Sequence, residues 1–239
     1  MTARRPGLAV ALLCLVVGSG LWAGSAASLS LTSQNLTPYQ TCTLTATPAT
    51  TTAVIDASVR QGSAGTNFGT STTNNVASGS GANRRLYVRF DLAQCSPAIP
   101  SSAILRLATM RQYLTAVPAV CRTVDIFPVL ASWTESGITW TNQPFGAAIN
   151  NPPTASRTGS FTVGTPAGCQ NQATGVYSVG ATVTTDVASF VSGGATNFGW
   201  MLRDDVEGSG TTRTITMSAK NLGTVAQAPQ LVVTYVTVP

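Results

Sequence analysis

The stretch RLYVRFDL, residues 85–92, alternates apolar and polar side chains along its whole length. The apolar side chains are Leu86, Val88, Phe90 and Leu92, and the polar side chains are Arg85, Tyr87, Arg89 and Asp91. Successive side chains of a β-strand point to opposite faces, so this pattern predicts a strand with one buried face and one polar face. The period of two therefore restricts this part of the chain to a half-buried sheet.

Short runs of the same kind follow, separated by clusters of Gly, Asn and Pro. We expect strands at 104–113, 123–130, 137–141, 160–163, 175–179, 197–203, 212–218 and 230–236. The stretch TTDVASFVSG breaks the pattern and predicts a short helix, capped by Thr185 or Asp186 and ended by the glycines at 193–194. Strands spaced in this way are typical of a β-sandwich, so the predicted fold class is all-β with one short helix.

The first residues have the pattern of an export signal. Arginines at 4–5 precede an apolar run over 8–22, and small residues at 25–27 offer a cleavage site. We predict a signal peptide at 1–27, a Thr/Ser-rich leader at 28–52 and one sandwich domain over 53–239. The protein is then secreted and extracellular, with no membrane contact after cleavage; an anchor that stays uncleaved is the alternative.

Removal of the signal leaves an even number of cysteines, which predicts two disulfides in an oxidising compartment. These cysteines are Cys42, Cys95, Cys121 and Cys169, and they allow three pairings. If the intervening strands form an antiparallel meander, Cys95 and Cys121 lie about 20 Å or more apart, beyond disulfide reach. We therefore favour Cys42 with Cys95 and Cys121 with Cys169.

The chain contains no histidine. Ser-His-Asp and Cys-His catalysis and His-based zinc sites are therefore excluded. Paired carboxylates remain as a possible catalytic device, but Glu135, within SWTESGITWTNQP, has no second carboxylate near it in sequence. Asp91 and Asp125 are expected to pair with arginines across strands. We predict that the protein is not an enzyme.

Two groups of oxygen ligands could hold a structural Ca²⁺, and no other cofactor is expected. The loop RDDVEGSGT, residues 203–211, contains Asp204, Asp205 and Glu207. Asp56, with Asn67 in the next turn, is the second group. Neither has the spacing of an EF-hand, and a solvated acidic turn is the alternative for the loop.

The polar face of residues 85–92 predicts a ligand-binding stripe. Arg85, Tyr87 and Arg89 alternate on it, and Arg106 is expected to join them from a neighbouring strand. Guanidinium forks and one aromatic ring suit a chain of uronic acids or sulfated sugars. Pairing of these arginines with Asp91 and Asp125 is the alternative.

Additional aromatic contacts to sugar rings are expected from Tyr39, Tyr113, Phe127 and Phe145 if they lie at the surface. The formal net charge of +5 becomes +3 without Arg4 and Arg5, a balance that does not indicate nucleic-acid binding. The sequence TNFG occurs at 66–69 and at 196–199 with unrelated flanks. We interpret both as turns built by Asn and Gly, and not as an internal repeat.

Six stretches in order resemble the secreted bacterial DNRLRE domain family, which includes carbohydrate-binding module family 96. They are DASVRQGSAGTNFGTSTTNNVASG, RRLYVRFDL followed by IPSSAILRL, RTVDIFPVLASWTESGITWTNQP, TTDVASFVSG, NFGWMLRDDVEGSG and APQLVVTY. The resemblance implies a β-sandwich of jelly-roll type, and some members of the family bind acidic polysaccharide such as alginate. Because WTESGITW resembles a recurring piece of the family, Trp133 and Trp140 are expected to close the core and not to form a sugar platform.

Two functions follow as hypotheses. The first is a non-catalytic carbohydrate-binding protein for acidic or cell-wall polysaccharide, which acts alone or with a partner enzyme. The alternative is an extracellular structural or adhesive protein that binds no glycan and contacts a cell-wall protein.

Overall fold

The structure is a computed structural model that describes residues 39–46, 51–150 and 156–237. The predicted signal peptide and most of the predicted leader lie outside the described residues. The strands are β1 (Gln40–Thr45), β2 (Val54–Arg60), β3 (Thr73–Ser78), β4 (Arg84–Phe90), β5 (Ile104–Arg111), β6 (Tyr113–Ala116), β7 (Arg122–Pro128), β8 (Gly159–Val163), β9 (Val176–Tyr177), β10 (Trp200–Asp204), β11 (Arg213–Ser218) and β12 (Gln230–Val236). One α-helix, α1 (Thr184–Ser192), occurs in this part of the chain.

The strands form two antiparallel sheets. The smaller sheet has the order β1-β12-β5, and the larger has the order β8-β7-β10-β4-β3-β11-β6-β9, with β2 paired to β4. Strand β1, which the sequence analysis placed in the leader, pairs with β12 along its whole length, from Gln40 opposite Tyr235 to Thr45 opposite Gln230. The ordered sheet therefore includes residues before position 53.

The main hydrophobic core lies where the two sheets face each other, and we call it the inner core. The smaller sheet contributes Leu44, Met110 and Val233, and the larger sheet contributes side chains such as Ile126 and Trp200. Helix α1 adds Val187 to the same cluster. This arrangement confirms the predicted all-β sandwich with a helix, while the jelly-roll connectivity stays a prediction.

A second buried cluster covers the opposite face of the larger sheet, and we call it the outer core. Strands β2, β4, β7 and β10 supply its floor, which includes Tyr87 and Met201. The segment 129–150 folds over this floor and buries Trp133, Ile138 and Trp140. Strand β4 is therefore buried on both faces, which corrects the expectation of one polar face. Both tryptophans close a core, as predicted.

The covering segment contains turns and no strand at 137–141, contrary to the prediction. The backbone N–H of Ile138 instead donates to the carbonyl of Thr134 at 3.0 Å. The side chain of Asn67 donates to the carbonyls of Glu135 and Ile138, both at 2.8 Å. These two carbonyls therefore accept hydrogen bonds from the side chain of a turn residue and not from the backbone of a neighbouring strand.

Both TNFG turns use the same hydrogen bonds, as expected of turn chemistry. The Oδ1 atoms of Asn67 and Asn197 accept from the N–H of Gly69 and Gly199, at 3.1 and 3.0 Å. Gly199 has a φ of +80° and lies against the carbonyl of Val88, so a side chain at this position would collide with β4.

The helix begins at Thr184, two residues before the start that a cap at Thr185 would give. Val183 is the residue before its first turn, and neither expected capping residue occupies that position. The carboxylate of Asp186 instead accepts from Trp200 Nε1 at 2.7 Å, which ties the helix to β10. Gly193, with a φ of +78°, ends the helix as predicted.

The disulfides join Cys42 to Cys95 and Cys121 to Cys169, with Cα–Cα distances of 5.6 and 5.7 Å, as favoured from the sequence. The premise of a meander was wrong, because β4 and β5 belong to different sheets. The predicted strand 104–113 is divided at residue 112. Its first part, β5, pairs with β12, and its continuation, β6, pairs with β11 of the larger sheet.

Among the described residues, we find no helix that is both long and apolar enough to cross a membrane.

Candidate functional site

Arg85, the first residue of the predicted binding stripe, is buried within the outer core, with 1% of its surface exposed. Its Nε and Nη2 donate to the two carboxylate oxygens of Glu207 at 2.7 and 2.8 Å. The same guanidinium donates to the carbonyls of Gly146 and Ala148 at 2.8 and 2.7 Å, and it lies 4.6 Å from the ring centroid of Trp140. Arg85 therefore fastens the covering segment to β4, which corrects the expectation of an exposed side chain.

Tyr87 is completely buried beside Arg85. Its hydroxyl donates to Gln143 Oε1 at 3.0 Å, and its ring makes an edge contact with Trp133 at 5.7 Å between centroids. Burial raises the pKa of Tyr87 well above its usual range. The hydroxyl thus belongs to the packing of the outer core and is not presented to a ligand.

Arg89 and Arg106 lie at the surface but not side by side. Arg89 is partly exposed on β4 and lines a cleft of about 440 Å³ with Ile55, Asp91 and Asn197. Arg106 is exposed on β5, in the other sheet. The structure therefore separates the two, because β4 and β5 are not neighbouring strands.

The three carboxylates of the 203–211 loop are directed at guanidiniums. Asp204 forms hydrogen bonds to Arg122, one of them from Nε at 2.8 Å, and Asp205 lies 3.4 Å from Arg122 Nη2. Glu207 is bound to Arg85. Burial raises the pKa of Asp204, and the hydrogen bond from Arg122 opposes this shift. The carboxylates of the loop form ion pairs with arginines, and Asp204 and Glu207 are buried, unlike the side chains of the solvated turn considered from the sequence.

Asp56 and Asn67, the other candidate calcium ligands, also have protein partners. Asp56 Oδ2 accepts from Asn74 Nδ2 and from the backbone N–H of Lys220, both at 2.9 Å. Asn67 uses its amide to hold the segment around Glu135, as described above. Within residues 39–46, 51–150 and 156–237, we find no group of three or more acidic or cysteine side chains that could hold a metal ion.

The fold brings together two carboxylates that the sequence left far apart. The N–H of Asp56 donates to Glu135 Oε1 at 3.0 Å, and Glu135 Oε2 lies 2.7 Å from Lys220 Nζ. Burial raises the pKa of Asp56 to about 7, and the negative charge of Glu135 adds to the shift. Asp56 is only 1% exposed. This pair therefore lacks the open cleft between carboxylates that glycoside hydrolysis needs.

The candidate aromatic contacts are divided between core and surface. Phe127 and Phe145 pack in the outer core, whereas Tyr39 is 69% exposed. Tyr113 is half-buried and makes an edge contact with Tyr177 across β6 and β9, at 5.3 Å between centroids. Tyr39, Tyr113 and Phe145 are thus at least partly exposed, whereas Phe127 is buried.

Two arginines that the sequence analysis did not single out line a separate cleft of about 170 Å³ where β2 ends and β4 begins. They are Arg60 and Arg84, which are opposite each other in the β2–β4 register. The rest of the lining is Gly62, Ser63, Gly81, Ala82 and Asn83. The sequence does contain a signal for these two residues: one arginine directly precedes the glycine-containing turn QGSAG, and the other directly follows the turn GSGAN.

The sequence matches the model of carbohydrate-binding module family 96 over residues 47–235, so the chain belongs to this family. The match begins after β1 and ends within β12. It confirms the resemblance carried by the six stretches. No curated protein sequence matches the chain.

Proposed function

We propose that the protein is a secreted, non-catalytic carbohydrate-binding protein that recognises an acidic polysaccharide. The observation that carries the proposal is its membership of carbohydrate-binding module family 96 over almost the whole described chain. The two disulfides support secretion, because such bonds form and persist in oxidising compartments.

The preference for an acidic ligand is supported by arginines that no carboxylate of the described chain neutralises. These residues are Arg60, Arg84, Arg89, Arg106, Arg111 and Arg213. The guanidinium group matches the geometry of a carboxylate or sulfate and is more weakly hydrated than an ammonium group. Arg89 and Arg106, predicted from the sequence, stay proposed contacts on separate surfaces.

The non-catalytic role is supported by the residue inventory and by one geometric fact. The chain has no histidine, the commonest general acid or base. Asp56, which neighbours Glu135, is buried and held by Asn74 and Lys220. Because the loop carboxylates are already paired with arginines, we include no calcium ion in the proposal.

Affinity electrophoresis of the disulfide-bonded protein tests this function. Gels would contain alginate, polygalacturonate, dextran sulfate or neutral dextran. We expect the acidic glycans to retard the protein and neutral dextran to leave it unaffected. Retardation should weaken with added salt, because the screening length falls from about 10 Å at 0.1 M to about 3 Å at 1 M.

Equal migration in every gel would contradict the proposal and favour the structural or adhesive alternative. Release of unsaturated products or new reducing ends from any of these polysaccharides would contradict the non-catalytic role.

A further inference from the structure

The cleft between Arg60 and Arg84 has an excess of positive charge at a defined place. The two side chains belong to directly paired positions of adjacent strands, and neither forms an ion pair within the described residues. Like charges that face each other across strands destabilise a sheet. Both burial and the charge of Arg84 lower the pKa of Arg60, as expected for two neighbouring cations without an anion.

The hydrogen-bond donors of these arginines are only partly used. Arg84 Nη1 donates to Asn75 Oδ1 at 3.1 Å. Arg60 Nε is buried and has no hydrogen-bond partner in the described chain. Arg85, the next residue after Arg84, is the opposite case, because Glu207 and backbone carbonyls accept its hydrogen bonds. A buried donor without an acceptor is costly, and the negative charge of an anion in the cleft would offset part of this cost electrostatically without contact to Nε.

The walls of the cleft are held in place without a ligand. The guanidinium carbon of Arg60 lies 3.8 Å from the ring centroid of Phe68, a cation–π contact that fixes its orientation. The Gln61 N–H donates to the Asn83 carbonyl at 2.9 Å, and Asn83 Nδ2 donates to Gln61 Oε1 at 2.6 Å. Asn83 Oδ1 also accepts from the N–H of Gly208 at 2.7 Å. A site arranged in advance loses little entropy on binding.

We propose that this cleft binds the oxyanion of an acidic sugar unit, a uronate carboxylate or a sulfate ester, between Arg60 and Arg84. The inference rests on the proposed function, because it names the group of the polysaccharide that is recognised. A volume of about 170 Å³ accommodates such a group with a few waters but not a sugar chain. The two planar guanidiniums provide charge-assisted hydrogen bonds to its oxygens.

The experiment compares Arg60→Gln, Arg84→Gln and the double variant with wild type. Dissociation constants come from affinity electrophoresis in alginate and in dextran sulfate. Each single substitution should weaken binding about tenfold or more, because a hydrogen bond to a charged group contributes about 1.5–3 kcal/mol and about 1.4 kcal/mol corresponds to a tenfold change. Arg157→Gln is the matched control: it removes an exposed arginine that pairs with Asp125 and is not a proposed contact, so affinity should change no more than the loss of one distant charge requires.

Arg84→Lys keeps the charge and loses the planar fork, so its affinity should lie between those of wild type and Arg84→Gln. If Arg60→Gln or the double variant does not fold, as judged by circular dichroism, Arg84→Lys and Arg84→Gln carry the test. The ratio of affinities for alginate and dextran sulfate distinguishes carboxylate from sulfate as the preferred group.

Failure of this inference is distinguishable from failure of the proposed function. If wild type is retarded by acidic glycans and the cleft variants are retarded equally, the cleft is not the site and glycan binding stands. If wild type is not retarded at all, the proposed function fails. Calorimetry with glucuronate and with inorganic sulfate then tests whether the cleft binds an anion. A heat of binding that wild type shows and the double variant lacks supports the anion site. The absence of a heat of binding with wild type overturns it.

Discussion

The inner and outer cores bury opposite faces of the same strands with different chemistry. On β4, the inner face carries Leu86 and Val88, whereas the outer face carries Arg85 and Tyr87. The inner core is held by apolar contact between two sheets, which is non-directional. The outer core depends on a covering segment that is fastened by a buried ion pair and by specific hydrogen bonds.

This difference indicates that the two cores respond differently to small chemical changes. A sandwich interior tolerates exchange of one apolar side chain for another of similar volume. A buried ion pair does not tolerate the loss of one partner, because the remaining charge stays buried without compensation. The outer core should therefore be the more sensitive region to substitutions that keep size and remove charge.

The largest effect is expected from Glu207→Gln. The substitution keeps the shape but leaves Arg85 as a buried cation without its carboxylate, which should lower the free energy of unfolding by about 3–5 kcal/mol. The control is Asp205→Asn in the same loop. Because the Asp205 side chain is 35% exposed, this substitution should change the free energy of unfolding by less than about 0.5 kcal/mol. Urea denaturation measures both. Equal effects of the two substitutions would contradict the claim that the buried Arg85–Glu207 ion pair stabilises the outer core.

A pH-dependent effect is expected from Asp56, which is bound both to the covering segment and to β3. Its N–H donates to Glu135 of the covering segment, and its carboxylate accepts from Asn74 on β3. The folded pKa, about 7, is above the ordinary value of 3.8, so the native state holds this proton more tightly than the unfolded state. The stabilisation that comes from this more tightly held proton of Asp56 is fully present below about pH 4 and is lost as the pH rises through 7.

The measurement compares wild type with Asp56→Asn from pH 4 to pH 8. The free energy of unfolding of wild type should fall relative to that of the variant by up to about 4 kcal/mol across this range. Contributions of other acidic groups that both proteins share cancel in the difference. A constant difference over the whole range would show that Asp56 titrates normally.

A smaller effect is expected from Trp133→Phe. The change keeps most of the ring volume but removes the indole N–H that donates to the Phe198 carbonyl at 2.8 Å. Leaving that carbonyl without its partner should lower the free energy of unfolding by about 1–2 kcal/mol. Affinity for acidic glycans should not change, since Trp133 is a framework residue. A variant of normal stability that lost glycan binding would make Trp133 part of the binding surface.

The sequence predicted those features that depend on local pattern. The last strand, 230–236, has the predicted bounds, and the two TNFG stretches form matching turns. The disulfide pairing was predicted correctly from an incorrect connection between β4 and β5. Spacing excluded one pairing, but it could not show that the chain changes sheets.

The binding stripe was predicted less well because alternation identifies two faces of a strand and not what covers them. Arg85 alternates with Leu86, yet it is buried by a segment whose contact at Gly146 lies 61 residues further along the chain. Arg84 precedes the alternating stretch and lines a cleft formed by two turns. Only the tertiary fold brings Arg60 next to Arg84 or Asp56 next to Glu135.

The most direct test of recognition of an acidic glycan is a nuclear magnetic resonance titration of the ¹⁵N-labelled, disulfide-bonded protein with an alginate oligosaccharide. We predict saturable shifts concentrated at residues 60–63 and 81–84, including the guanidinium signals of Arg60 and Arg84, and no such shifts with a neutral oligosaccharide. Saturable shifts centred instead on Tyr113 and the β6–β9 edge would contradict the assigned cleft. The absence of shifts anywhere would contradict the recognition of this glycan.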